Sequence, residues 1–317
     1  MDQSSQRRFD PGSPCVACEQ PVGSVAGDSR ADPRLGRCEA CGLRWLLDPP
    51  TGPDLERFYT SGFYVPAPPR GGVLIGALHQ ITNAIRLREL DGLEPGRLLD
   101  VGCGKGRFLA AARDAGWDVV GIEFAHASAE AARANGVDVH EGDFLDVALP
   151  GGFDAVTLWH VLEHLPEPLA AVARAADLVR PGGRVVISVP NINSLQARLG
   201  ADSWFHLDLP RHLFHFGPRS LTALVERSGL RVVRIGHFHP EMEVIGLVQT
   251  LLDRAGFADG LLYRFAKRDP DAPTGRQVLA SLALALAAAP GAVAWSAVAP
   301  LLRTGASIQL VAERRLD

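Results

Sequence analysis

Residues 97–112, RLLDVGCGKGRFLAAA, constrain this chain more than any other stretch. Leu98, Leu99 and Val101 form the short apolar run of a strand covered on both faces. Gly102, Gly104 and Gly106 then permit positive φ and a close approach of backbone to a ligand. Phe108, Leu109 and Ala112 recur at helical spacing, so the turn opens at a helix N-terminus, where free N–H groups favour an anionic group. Asp100, just ahead of the glycines, narrows the ligand further. A carboxylate there gains little from a phosphate and much from an amine or a cation. No GxxxxGK[ST] pattern is present, which excludes a P-loop.

Asp100-Val-Gly102-Cys-Gly104-Lys-Gly106 fits (D/E)xGxGxG and resembles the first motif of the class I S-adenosylmethionine-dependent methyltransferases. The similarity continues in order over roughly 220 residues. It implies an α/β fold: a doubly wound, seven-stranded, mostly parallel, Rossmann-like sheet with S-adenosylmethionine at the strand C-termini. A second strand, Trp117 to Ile122, ends in Glu123, placed to reach two ribose hydroxyls. After a third strand, 137–140, Asp143 resembles the residue that accepts the adenine amine, and Phe144 is placed to stack on the ring. Asp143 as a local cap is the alternative. Phe153 to Leu158 forms the fourth strand. Trp159 joins the cofactor set at its end, and His160 is the candidate general base. For His164 a structural hydrogen bond is the expected role. HVLEH also matches H-x-x-E-H, but Pro166 and Pro168 leave barely one helical turn, which argues against zinc hydrolysis. The last two core strands are 230–238 and 306–314.

Ahead of this core, Cys15, Cys18, Cys38 and Cys41 follow C-x2-C-x19-C-x2-C. Four thiolates at this spacing suit a closed tetrahedral structural zinc, with two disulfides or four free thiols as the alternatives. The first 14 residues have no apolar segment of the kind that opens a secretion signal, so a cytoplasmic location is expected. The first fifty residues hold six Arg against seven Asp and Glu, and the whole chain carries −4, which disfavours a nucleic-acid partner. A ribbon before such a core is similar to the deoxysugar C-methyltransferases. That resemblance implies a small-molecule or carrier-linked acceptor, such as a sugar or cell-envelope intermediate. The alternatives are an RNA methyltransferase docking through its ribbon and a non-catalytic cofactor-binding scaffold.

The expected organisation is a ribbon over 1–50, a linker and N-terminal helix over 51–92, a core over 93–239 and 305–317, and a helical insertion over 240–304. The linker carries the aromatics Phe58, Tyr59, Phe63 and Tyr64, either covering the cofactor cleft or packing on the core. Residues 191–217 form a lid-like insertion bearing Trp204, His206, Asp208, Arg211, His212 and His215. His212 and His215 are acid–base groups, substrate ligands or packing residues. Residues 277–302 contain no charge, and Pro290 and Pro300 divide them into two short apolar helices. Three placements stand: a packed hairpin or homodimer face, a peripheral membrane contact, or a membrane span.

Overall fold

The computed structural model describes residues 12–23, 32, 34–50, 72–258, 260–266 and 275–316. The linker aromatics lie outside the described residues, so their expected role is left there. Two sheets organise the rest. The larger has seven strands: β3 (Arg97–Val101), β4 (Asp118–Glu123), β5 (Asp138–Glu141), β6 (Phe153–Trp159), β7 (Val179–Pro190), β9 (Leu230–Gly236) and β10 (Ser307–Arg314). Their order is β5-β4-β3-β6-β7-β10-β9. The first five pair in parallel, and β10 runs antiparallel to both neighbours. This is the doubly wound sheet expected from the sequence.

Alternation along β3 feeds the two faces separately. Leu99 and Val101 join one buried cluster and Leu98 the other. Helices α2 (Arg107–Asp114) and α3 (His126–Ala134) cover one face through Phe108, Leu109, Ala112, Ala129 and Ala132. Helices α4 (Pro168–Leu178) and α6 (Pro218–Arg227) cover the other through Ala171, Val172, Leu221 and Leu224. A preceding helix, α1 (Gly72–Arg88), packs on α2. The parallel strands therefore end on one rim, at Val101, Glu123, Glu141, Trp159 and Pro190.

The smaller sheet joins two segments far apart in sequence. Strands β1 (Leu35–Arg37) and β2 (Arg44–Leu46) form the ribbon hairpin. The third strand, β8 (Phe214–His215), comes from the 191–217 insertion and pairs with β2. Leu35, Leu43 and Trp45 of the ribbon then merge into the core cluster that contains Phe214 and Phe216.

Beyond β9 lie α7 (Pro240–Arg254), α8 (Leu261–Ala266) and α9 (Arg276–Val298). The expected pair of short helices is corrected here: α9 runs unbroken through Pro290. A proline interrupts one backbone hydrogen bond of a helix. Its neighbours in the preceding turn, Ala287, Ala288 and Ala289, present only methyl groups to the ring.

Candidate active site

The glycine turn takes the conformation its sequence demands, with Gly102, Gly104 and Gly106 at φ 65°, 56° and 70°. A Cβ at Gly102 would strike Val161 Cγ2 at 2.5 Å, and one at Gly106 would strike Ala132 Cβ at 2.9 Å. At Gly104 a Cβ would meet nothing within 4 Å. Two glycines thus serve close packing, and the middle one borders open space on the rim. Glu123 bridges the turn, accepting from the Gly104 and Ala125 N–H groups at 2.8 Å each. Burial raises its pKa, and these backbone donors act the other way.

Asp100 sits on β3 opposite Thr157 of β6, and Thr157 Oγ1 donates to Asp100 Oδ1 at 2.6 Å. Burial pushes the Asp100 carboxyl up to about 7, although the Thr157 hydroxyl and the Arg86 guanidinium favour its ionised form. Arg86, on α1, lies with its guanidinium 5.0 Å from the Trp159 ring centroid, and its Nε has no hydrogen-bond partner among the described residues. Arg86 was absent from the sequence reading. The only available signal was a cation on the buried side of a helix, and its partner lies across a gap that the sequence does not bridge.

This pocket fits the methionyl and ribosyl parts of S-adenosylmethionine. A buried carboxylate within the electrostatic reach of a guanidinium suits a zwitterion, a bridged acidic residue ends the neighbouring strand, and Gly104 leaves room for a ligand among the described residues. Among the other expected contacts, Asp143 is exposed and its Oδ1 accepts from Leu145 N at 2.8 Å. Phe144 is buried in the core with the Arg174 guanidinium 5.3 Å from its ring centroid. Trp159 is buried edge-on to Phe108, with ring centroids 5.4 Å apart, and its Nε1 is unpaired among the described residues.

His160 begins where β6 ends, in a left-handed conformation at φ 57° that only a well-determined surround sustains. Its Nδ1 faces Glu163 Oε1 at 3.4 Å. Its Nε2 lies 3.3 Å from Ser188 Oγ and 3.4 Å from Ser307 Oγ. Burial, reinforced by Arg86, lowers the His160 pKa to about 3, and burial pushes Glu163 up to about 7. Among the described residues neither Glu163 oxygen has a hydrogen-bond partner, although the residue is 1 % exposed. Glu163, which the sequence places with His160 in the loop at the end of the fourth strand but gives no role of its own, is thus set against the His160 ring. HVLEH does not form a metalloprotease helix: Leu162–His164 is a single 3-10 turn. His164 turns away from His160, and its Nδ1 hydrogen-bonds the Arg211 carbonyl at 3.1 Å.

The 191–217 segment folds over this rim through α5 (Leu195–Gly200), two short turns and β8. His206 Nε2 hydrogen-bonds Met242 O at 3.1 Å, linking the segment to α7. His212 Nδ1 hydrogen-bonds His206 O at 2.9 Å, and its ring packs edge-on to His164 at 4.6 Å. Glu163, His164 and His212 each offer a ligand atom within 4.8 Å of the others. His215 lies in β8 beside the ribbon, with Nε2 hydrogen-bonded to Leu207 O at 2.9 Å. His160 is therefore at the strand rim, His212 in the layer above it, and His215 in the ribbon sheet.

The four ribbon cysteines converge, with Sγ atoms within 4.8 Å of one another and the Cys15–Cys41 and Cys18–Cys38 pairs at 3.7 Å. A disulfide needs about 2.05 Å. Four sulfurs about 2.3 Å from a tetrahedral ion stand about 3.75 Å apart, so the set fits zinc. The knuckle is anchored to the core by Arg227 of α6, which donates to Val16 O at 2.8 Å and pairs with Glu19 at 3.0 Å.

The chain is similar to known proteins over its catalytic core. A family model described as a methyltransferase domain matches residues 78–235. The ubiquinone biosynthesis O-methyltransferase of Aromatoleum aromaticum is 36% identical over 176 residues, covering 50% of this chain and 74% of that protein. Its counterpart from Bordetella avium is 39% identical over 175 residues, covering 48% and 70%. Phosphoethanolamine N-methyltransferase 2 of Haemonchus contortus, solved with S-adenosyl-L-methionine, shares the fold at a TM-score of 0.50 and 15% identity, over 74% of this chain and 52% of that one. The chain belongs to the class I S-adenosylmethionine-dependent methyltransferases and is an enzyme of that class. The family model covers residues 78–235, so the cysteine ribbon, helices α7–α9 and strand β10 lie outside the matched stretch.

Proposed function

We propose that this enzyme methylates a hydroxyl of a small-molecule acceptor held between the strand rim and the 191–217 lid. The observation that carries the reading is the adjacency of two unlike sites on neighbouring strands. Asp100 with Arg86 forms a zwitterion site, and His160 with Glu163 forms a buried proton-handling pair. Asp100 holds the methionyl ammonium and Arg86 its carboxylate. Glu123 takes the ribose hydroxyls, the Gly102–Gly106 turn lies along the nucleoside, and Asp143 accepts from the adenine amine, while the buried Phe144 and Trp159 support the surrounding backbone. S-adenosylmethionine supplies a methyl group already activated on a sulfonium, so the protein's tasks are orientation and exclusion of water.

An oxygen acceptor must also lose a proton. In this reading His160 Nε2 takes it, and Glu163 across the ring stabilises the resulting imidazolium. An ionised Glu163 offsets the burial that otherwise keeps His160 neutral. His212 and the Asp208–Arg211 pair at 2.6 Å shape the acceptor side of the pocket. His215 ties the lid to the ribbon. The cysteine cluster holds structural zinc, with no position open for chemistry.

Support for an oxygen acceptor comes from the named O-methyltransferase relatives and from the presence of a base, which a pre-ionised nucleophile would not need. A carrier-linked sugar or envelope intermediate is the narrower form of the same proposal. The test incubates the protein with S-adenosylmethionine and separate pools of catechols, sugar nucleotides, lipid-linked sugars and total RNA, and follows S-adenosylhomocysteine release. Turnover on a hydroxyl acceptor that is lost in His160→Ala supports the proposal. Transfer to RNA alone overturns it, and so does cofactor binding without turnover on any pool.

A further inference from the structure

Helix α9 has two dissimilar sides. Val278, Ser281, Ala292 and Ser296, with Ala299 just beyond, are buried where the helix meets α7 and α8. The two serines on that side satisfy themselves by bonding Val278 O and Val293 O. On the other side, every exposed residue from 279 to 302 is Ala, Leu, Val, Pro or Gly. Leu279, Leu286 and Leu301 are 68%, 76% and 83% exposed. Arginines bracket this surface, with Arg276 at its start and Arg303 at its end, both exposed.

We infer that α9 docks on a lipid bilayer and lies in its plane, with its leucine face in the hydrocarbon and Arg276 and Arg303 at the level of the phosphates. Two observations choose this occupant. A protein partner of ordinary composition asks for about one hydrogen bond per 100–200 Å², and apart from the half-buried Trp295 no side chain among the exposed residues 279–302 can make one. Lipid tails ask for none. The cationic ends then match anionic headgroups.

By length and composition α9 is long enough to cross a membrane, at about 34 Å against a hydrocarbon core of about 30 Å. Its surroundings favour lying flat. Arg303 is four residues from Ser307, the start of β10 in the catalytic sheet, and α9 packs along α7. A spanning α9 would carry Glu241, Glu243 and Asp253 of α7 towards the hydrocarbon. An in-plane helix keeps α7 and the sheet on the aqueous side. This inference rests on the burial pattern of α9 and stands apart from the methyl-transfer reading.

Flotation of the full-length protein with phosphatidylcholine vesicles, with and without phosphatidylglycerol, tests it. The wild-type chain is expected to float, more strongly with the anionic lipid. Combining Leu279→Gln, Leu286→Gln and Leu301→Gln is expected to lower partitioning at least a hundredfold, at roughly tenfold per leucine removed from hydrocarbon. Replacing Arg276 and Arg303 by Ala should abolish the preference for anionic vesicles, at about fivefold each. Unchanged S-adenosylmethionine binding checks that each variant is folded. A measurement on the wild-type chain needs no variant: Trp45, Trp117, Trp159 and Trp204 are buried, whereas Trp295 lies half-buried on α9. Brominated lipids should therefore quench the Trp295 emission. Absence of flotation and quenching overturns the inference. So does a dimer in sedimentation that the three leucine substitutions disperse while vesicle binding is nil, because that result assigns the face to a second copy.

Discussion

Replacing Asp100 by asparagine removes one charge from the cofactor pocket and leaves its shape. The amide oxygen can still accept from Thr157 Oγ1, which now stands 2.6 Å from the carboxylate, so the strand pairing is kept. What is lost is a charge-assisted bond to the ligand's ammonium. Such bonds contribute about 1.5–3 kcal/mol, or about 10- to 150-fold in Kd. The pH dependence gives a sharper reading. With the Asp100 carboxyl near 7, about one tenth is ionised at pH 6 and about nine tenths at pH 8. If binding needs the ionised form, the wild-type Kd falls about tenfold across that range. Calorimetry at pH 6, 7 and 8, with S-adenosylmethionine and with S-adenosylhomocysteine, measures both effects. Asp100→Asn carries the same titration of the ligand, so the difference between the two slopes belongs to Asp100. Wild-type affinity in the variant, or equal slopes in the two proteins, refutes the placement of the ammonium at this carboxylate.

His160→Ala and Glu163→Gln are expected to lower kcat by about 10²–10⁴ while the S-adenosylmethionine Kd stays within a few-fold, read by single turnover and calorimetry. Zinc removal by chelation, or Cys38→Ser, should loosen β8, because Leu46 N donates to Leu213 O and Leu213 N to Glu163 O. Hydrogen exchange at residues 213–216 should rise and acceptor KM increase, with cofactor Kd unchanged; unaltered exchange there would contradict the coupling. Stability of the ligand-free protein should fall as pH rises from 6 to 8. The pKa values of Asp100, Glu163 and Glu243 are raised by burial to about 7, so their contribution is full below the ordinary carboxylate range and is lost as pH rises through 7. Buried His206 and His215, lowered to about 4, contribute above about 6.5 and lose it as pH falls through 4. Across pH 6 to 8 the three carboxyls outweigh the two imidazoles, so thermal scans should show a lower Tm at pH 8 than at pH 6.

Local patterns were legible in the sequence. The apolar run of β3, the glycines with positive φ and the buried stripe of α2 are all written within sixteen residues, and each is dictated by its own neighbours. The convergence of four cysteines was readable for the same reason, since each C-x2-C is a local knuckle. What the sequence hid depends on long-range packing. Arg86 gains meaning only because α1 brings it to Asp100. Glu163 stands out only because burial leaves its oxygens unpaired beside His160. The third ribbon strand comes from residues 214–215, nearly 170 positions away, through backbone pairing that leaves no pattern in the side chains. Pro290 points the other way: the sequence pattern predicts a break there, and the helix continues through it.

The account depends on S-adenosylmethionine seated between Asp100, Gly104 and Glu123. Calorimetric titration of the purified wild-type chain with that nucleoside and with S-adenosylhomocysteine tests this most directly. Saturable binding of one molecule per chain, abolished by a side chain at Gly104 in Gly104→Val, is the predicted result. No heat with either nucleoside, or binding that Gly104→Val leaves intact, would contradict it.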